Sequence, residues 1–136
     1  MGKEIDPEIE QYVQQAYTEL NPLTGLYFNR TFMKKAKEFL TEIQSGAYCM
    51  VAVDMAHFRL FNKFYGRDAG DKVLIYIAGV LKNIQKHHGG IAGYFGGDNF
   101  CIIMLYQMEL IKKMREDFIE GMNFWSDLTG FIPNIG

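Results

Sequence analysis

The chain is poor in cysteine and proline, with two Cys and three Pro in 136 residues. Cys49 and Cys101 each lie inside an apolar, strand-like run, the setting of reduced core residues and not of a disulfide framework. Surplus positive charge is missing too. Fourteen Lys and Arg against sixteen Asp and Glu leave a net charge of −2, so no basic field draws nucleic acid or an anionic membrane surface. Direct contact with either is not expected, and any phosphate-bearing ligand must be held by local groups. The longest apolar stretches, Ala47–Val53 and Phe100–Tyr106, have seven residues each, well short of the ~20 that span a bilayer. They read as buried strands. The opening Met-Gly-Lys-Glu-Ile-Asp holds no apolar signal region, so a cytoplasmic location is expected, whether or not the parent protein is tethered to a membrane. What the chain does have is 49% hydrophobic and 22% charged residues, the make-up of one folded domain.

The Asp6-Pro7 start, the early acids Glu8 and Glu10, and apolar residues at helical spacing from Ile9 to Leu20 predict a lead-in amphipathic helix over residues 1–20. Asn21-Pro22 stops it, because the residue before proline is pushed out of the helical region. The domain proper then runs over 21–136. Phe32, Ala36, Phe39, Leu40 and Ile43 form the stripe of a helix from about Thr31 to Gln44. A strand follows from Tyr48 to Val53 and leaves the core at Asp54; a short helix holds Phe58, Phe61, Asn62 and Tyr65, and a longer one is marked by Val73 to Ile84. Ile91–Phe95 and Phe100–Tyr106 form a hairpin across Gly96-Gly97-Asp98-Asn99, since paired glycines supply positive φ without steric cost. A last helix around Met108 to Met122 leads to Phe131–Gly136, which reads as a strand cut at its end. Helices alternating with strands, two of them in a tight hairpin, predict an α/β (α+β) sandwich with a mixed or mainly antiparallel sheet flanked by helices.

Two carboxylates stand where a fold gains little from them: Asp54 at a strand end and Asp98 in the glycine hairpin. If their strands are neighbours, these acids and a nearby carbonyl such as that of Met55 make a hard oxygen cluster suited to Mg²⁺ and a nucleotide phosphate. The plainer alternative is that Asp54 caps the next helix and Asp98 is a turn residue; spacing alone favours it. Gly96 and Gly97 let a ligand come close to the backbone. Asn62 and Asp71 offer the donor and acceptor needed to read the Watson-Crick edge of guanine, against which stand a solvated helix residue and an N-cap. Arg59 and Arg67 are candidate phosphate partners or ordinary surface arginines. Adjacent His87 and His88 point apart on a helix and suit its C-terminus better than a zinc site.

Together the segments Asn21-Pro-Leu-Thr-Gly-Leu26, Asn29-Arg30, Asp54 to Leu74 and Gly96-Gly-Asp-Asn-Phe100 closely resemble the GGDEF family of diguanylate cyclases, in order and spacing, over about residues 21–105. Asn134-Ile135-Gly136 is similar to the start of the family's late Ser-Ile-Gly strand, which implies that the last helical segment is missing. The resemblance implies a fold related to the palm of nucleotidyl cyclases and the condensation of two GTP to cyclic di-GMP by facing domains of a homodimer. It implies that Asp54, Asp98 and the Met55 carbonyl hold Mg²⁺ or Mn²⁺, and that Asn62 and Asp71 read guanine. Gly96, Gly97 and Phe58 stand at substrate-binding positions, and Arg59 replaces a phosphate-contacting lysine. The domain would belong to cyclic di-GMP signalling, beside a phosphodiesterase or sensor domain in its parent.

The departures from the family pattern shape the expected function. Asn99 takes the place of the fourth, acidic signature residue, and an amide neither accepts the nucleophile's proton well nor adds charge to a metal site. Ala56 and Lys63 replace two further acids, and His87-His88-Gly89-Gly90 replaces the Arg-x-x-Asp product-inhibition site. The expectation is a domain that binds Mg-GTP, is weak or inactive as a cyclase and serves a regulatory role. The alternatives are a working diguanylate cyclase and a protein-interaction scaffold without nucleotide.

Overall fold

The computed structural model describes residues 7–8, 20–42, 46–129 and 133–135. The lead-in helix expected over 1–20 lies outside the described residues apart from its helical positions 7–8 and from residue 20. The ordered path runs α1 (Asn29–Glu42), β1 (Tyr48–Met55), α2 (Phe58–Tyr65), α3 (Arg67–His88), β2 (Ile91–Tyr94), β3 (Phe100–Leu105), α4 (Met108–Thr129) and β4 (Pro133–Ile135). From β1 onward this is a β-α-β-β-α-β succession with the first crossover helix broken in two. The sheet order is β2-β3-β1-β4 and every pairing is antiparallel. The α+β sandwich with a mainly antiparallel sheet expected from the pattern is therefore present.

Residue chemistry explains the layers. Val51, Val53 and Met55 alternate with exposed Ala52 and Asp54 along β1, so one face of the strand is buried. That face meets Phe61 of α2, Val73, Ile77 and Leu81 of α3, and Met114 and Phe118 of α4 in the main core. Each such side chain contributes on the order of 1.5–3 kcal/mol by leaving water. The opposite face holds a smaller cluster, in which Phe32 and Ala36 of α1 pack on Ile91, Cys101 and Ile103. Gly93 lies directly under the Phe32 ring, where a Cβ would collide with it.

The loop before α1 is tied down by its own polar groups. Asn21 Oδ1 accepts from the N–H groups of Leu23 and Thr24, both at 2.9 Å, and from the Thr24 hydroxyl at 3.2 Å. Tyr27 then runs beside the outer strand, its carbonyl accepting the Tyr94 N–H at 2.9 Å, with a parallel bridge to Gly93.

Several boundaries differ from the expected ones. α1 starts at Asn29, and α4 continues through Thr129. α3 begins at Arg67, directly after Gly66, because Gly66 with φ 89° separates it from α2. β1 runs on through Met55, since Asp54 pairs with Asn134 and Met55 with Pro133 of β4. No sequence-local rule supplies that partner. The terminal strand expected over 131–136 is described at 133–135.

Candidate functional site at one end of the sheet

The register that pairs Val53 with Phe100 carries the Gly96–Asn99 hairpin to the end of β1. There Asp98 Oδ2 accepts the Met55 N–H at 3.0 Å across 43 positions of chain. Asp98 is half-buried and Asp54 exposed. Met55 N is separated from Asp54 Cα only by the Asp54 carbonyl carbon, so the Asp98 carboxylate stands beside the residue that carries Asp54. In a strand the N–H and C=O of one residue project to the same neighbour, which directs the Met55 carbonyl toward the hairpin side as well.

The hairpin is built to hold Asp98 there. Gly96 and Gly97 have φ of 94° and 56°, a region that residues with a Cβ rarely enter. The turn closes with Asn99 N–H to the Gly96 carbonyl at 2.9 Å and Phe95 N–H to the Asn99 carbonyl at 2.8 Å. The Asn99 amide turns back onto its own loop, Nδ2 donating to the Gly96 carbonyl at 3.2 Å. An acid at this position could not make that bond. The Tyr94 hydroxyl donates to the Gly97 carbonyl at 2.6 Å. Burial pushes the Tyr94 phenol above its ordinary value, and the negative charges of Asp71 and Asp98 push it the same way. Tyr94 thus lies within electrostatic reach of both acids.

Asn62 and Asp71 arrive from α2 and α3. Asn62 rests on Gly70, where a Cβ would overlap its Oδ1. Asn62 Oδ1 is sealed from solvent and has no hydrogen-bond partner. Asp71 is the next residue along α3 and lies inside the helix, which corrects the reading of it as an N-cap. Asp54 does not occupy the cap position of α2 either: the residue before that helix is His57, at φ 60° and ψ 33°, and its side chain makes no capping hydrogen bond. His is one of the few residue types that enter this left-handed region. The first backbone N–H groups of α2 have no partner within the helix itself, and Arg59 in that turn is exposed. Phe58 is only 8% exposed and belongs to the main core, so what it can offer a ligand is its backbone. Arg67 is exposed at the start of α3, and His87 and His88 are exposed at its end.

Among the described residues no three His, Cys, Asp or Glu side chains converge on one point. A cation here would have to rely on two carboxylates, a carbonyl and oxygens brought by its ligand, which is how Mg²⁺ is usually held. The hard-oxygen donor set of Asp54, Asp98 and the Met55 carbonyl fits such an ion and not a soft one. Two contributors escaped the sequence reading. Tyr94 looks like one more core aromatic in an alternating run, and Gly70 like a helix glycine of no consequence. A separate cavity of about 280 Å³ opens between Gly25 to Tyr27 and the end of α3, bordered by Lys82 and Lys86; none of the expected site residues lines it.

The structure therefore defines an antiparallel α+β domain in which Asp98 is hydrogen-bonded to the backbone next to Asp54 at one end of the sheet. The match of residues 18–122 to the family described as diguanylate cyclase, GGDEF domain, covers most of the chain, which belongs to that family and so to the domains of cyclic di-GMP signalling. A diguanylate cyclase of Pseudomonas aeruginosa, DgcP, is 35% identical over 106 residues, spanning 76% of this chain and 15% of its own length. The Escherichia coli diguanylate cyclase DgcP is 33% identical over 131 residues, spanning 89% of this chain and 36% of its own length. The chain thus spans a minor part of these curated relatives. Among solved structures, the GGDEF domain of DgcB from Caulobacter crescentus, in complex with c-di-GMP, matches with a TM-score of 0.70 at 22% identity, over 88% of this chain and 75% of that one. That likeness concerns the fold. Among the described residues no helix is long and apolar enough to cross a membrane.

Proposed function

We propose that the domain binds GTP as its Mg²⁺ complex, with Mn²⁺ a possible substitute, and works as a regulatory module with weak or no cyclase activity of its own. The observation that carries this reading is the Met55 N–H to Asp98 bond, which brings the two acids to one sheet end. Asp54, Asp98 and the Met55 carbonyl would hold the cation. When bound, the ion would neutralise the triphosphate and make a 3′-hydroxyl more acidic. Asn62 and Asp71 would read the base, while Gly96 and Gly97 leave room for the nucleotide. Arg59 and the first turn of α2, with the Phe58 backbone, would face the phosphates.

The weak-activity part rests on Asn99. Its Nδ2 is engaged by the Gly96 carbonyl, so the side chain closes the turn and supplies no acid where the family has one. Cyclisation would further require two facing domains, each with its own GTP. Homodimerisation, a neighbouring sensor or phosphodiesterase domain and a cytoplasmic location all belong to this proposal.

Calorimetry with Mg-GTP, alongside an assay for cyclic di-GMP, tests it. Binding without appreciable turnover is expected. Robust turnover abolished by Asp98→Ala would make the protein a working cyclase, and absence of Mg-GTP binding would leave an interaction scaffold.

A further inference from the structure

We propose that Gly70 is a specificity-determining position: by carrying no side chain it lets the Asn62 amide lie on its Cα, and so decides which half of that amide is offered to a purine base. The inference rests on the guanine-reading role proposed above for Asn62 and Asp71. A Cβ on Gly70 would overlap Asn62 Oδ1 and lie 2.9 Å from Cγ, but 3.4 Å from Nδ2. The carbonyl end of the amide is therefore the end pressed against α3. That oxygen is shut off from solvent without a conventional partner, and the neighbour left to it is the Gly70 Cα–H, a weak donor. Turning the amide over would set an NH₂ donor against the Gly70 Cα–H, itself a weak donor, in place of an acceptor.

In the sense seen here Nδ2 is thus the end of the amide left for a ligand, and Asp71 follows Gly70 directly in the chain. An amide donor used together with a carboxylate acceptor complements guanine, whose edge presents a carbonyl acceptor next to N–H donors. Adenine presents the opposite order. Backbone strain does not explain the glycine, since Gly70 is absent from the positive-φ residues among those described, and a helix-interior glycine is less stable than alanine. Gly79 of the same helix makes the comparison clean, because a Cβ there meets nothing within 4 Å.

The test compares wild type with Gly70→Ala, Gly79→Ala and Asn62→Ala by calorimetry with Mg-GTP and Mg-ATP. Wild type and Gly79→Ala are expected to prefer GTP equally. Gly70→Ala should lower that preference by roughly tenfold or more, the scale of one lost base-reading contact, to the level of Asn62→Ala and without loss of ATP affinity. Retained preference, or equal loss of both nucleotides, overturns the proposal. The Asn62 side-chain NH₂ resonance, assigned by its disappearance in Asn62→Ala, should move in Gly70→Ala and stay in place in Gly79→Ala; an unmoved signal overturns the contact whatever the nucleotide data show. A wild type that binds neither nucleotide overturns the guanine reading itself, and the specificity role with it. Should Gly70→Ala fail to fold, recovery in Gly70→Ala/Asn62→Ala supports the contact and failure to recover overturns it.

Discussion

The Met55 N–H and the Asp98 carboxylate are joined at 3.0 Å, so the acid of the glycine hairpin is also a piece of the sheet. Asp54, one residue earlier, is exposed and does no comparable structural work. The two acids should separate on mutation. Asp54→Ala should change stability by no more than about 0.5 kcal/mol, whereas Asp98→Ala strands the Met55 N–H and should cost about 1–3 kcal/mol. Asp98→Asn keeps an acceptor and should lie between them. All three should weaken Mg²⁺-dependent GTP binding. Denaturant unfolding and calorimetry on the same set check both halves.

The Tyr94 hydroxyl provides a pH signature. Its phenol is raised in the folded protein by burial and by Asp71 and Asp98, so the folded state disfavours the phenolate. Its stability contribution is full below the ordinary tyrosine value of 10.0 and is lost as pH rises above that value toward the folded one. Tyr76 is raised as well, by burial first and then by Asp117 and Glu120. Spectrophotometric titration should show late-ionising tyrosines, one of which disappears in Tyr94→Phe. Loss of the bond to Gly97 should cost about 1 kcal/mol.

The contact between α3 and α4 predicts a steric effect far from the site. Tyr76 donates its hydroxyl to the Asp117 carbonyl at 2.6 Å, and its ring fills the space beside Gly121, where a Cβ would overlap it. Gly121→Ala should destabilise by about 1–3 kcal/mol, as over-packing does, despite alanine's better helix propensity. In a double-mutant cycle with Tyr76→Ala the cost of Gly121→Ala should shrink.

Asn21 organises the entry loop through three hydrogen bonds to one oxygen. Asn21→Ala should lower stability by about 1–2 kcal/mol, the upper range for a lost cap, whereas Asn21→Asp keeps the acceptor and should be tolerated. Thermal unfolding of the pair distinguishes the hydrogen bonds from mere side-chain bulk.

Much of the scaffold was legible because its information is local. The stripe on α1, the alternation on β1 and the Gly96-Gly97 turn each follow from the spacing of a few residues. The site was legible as residue types but not as geometry. Asp71 next to Gly70 reads equally well as a cap or as a helix-interior acid, and only the break at Gly66, which starts α3 at Arg67, decides. Tyr94 carries no sign of its hydroxyl's bond to the Gly97 carbonyl, because an aromatic residue in a strand packs first and its polar tip is settled by tertiary neighbours. The extension of β1 through Met55 depends on β4, a partner eighty residues away by the register of Asp54 and Asn134, and no local pattern encodes such a pairing.

The course of Tyr27 along β2 has a consequence for colloidal behaviour. An uncovered outer strand offers a template onto which another chain can add. With the Tyr94 N–H taken by the Tyr27 carbonyl and Gly93 bridged by the same residue, that template is partly occupied from within, so strand-by-strand stacking of copies is disfavoured on this flank as long as the entry loop keeps its hydrogen bonds.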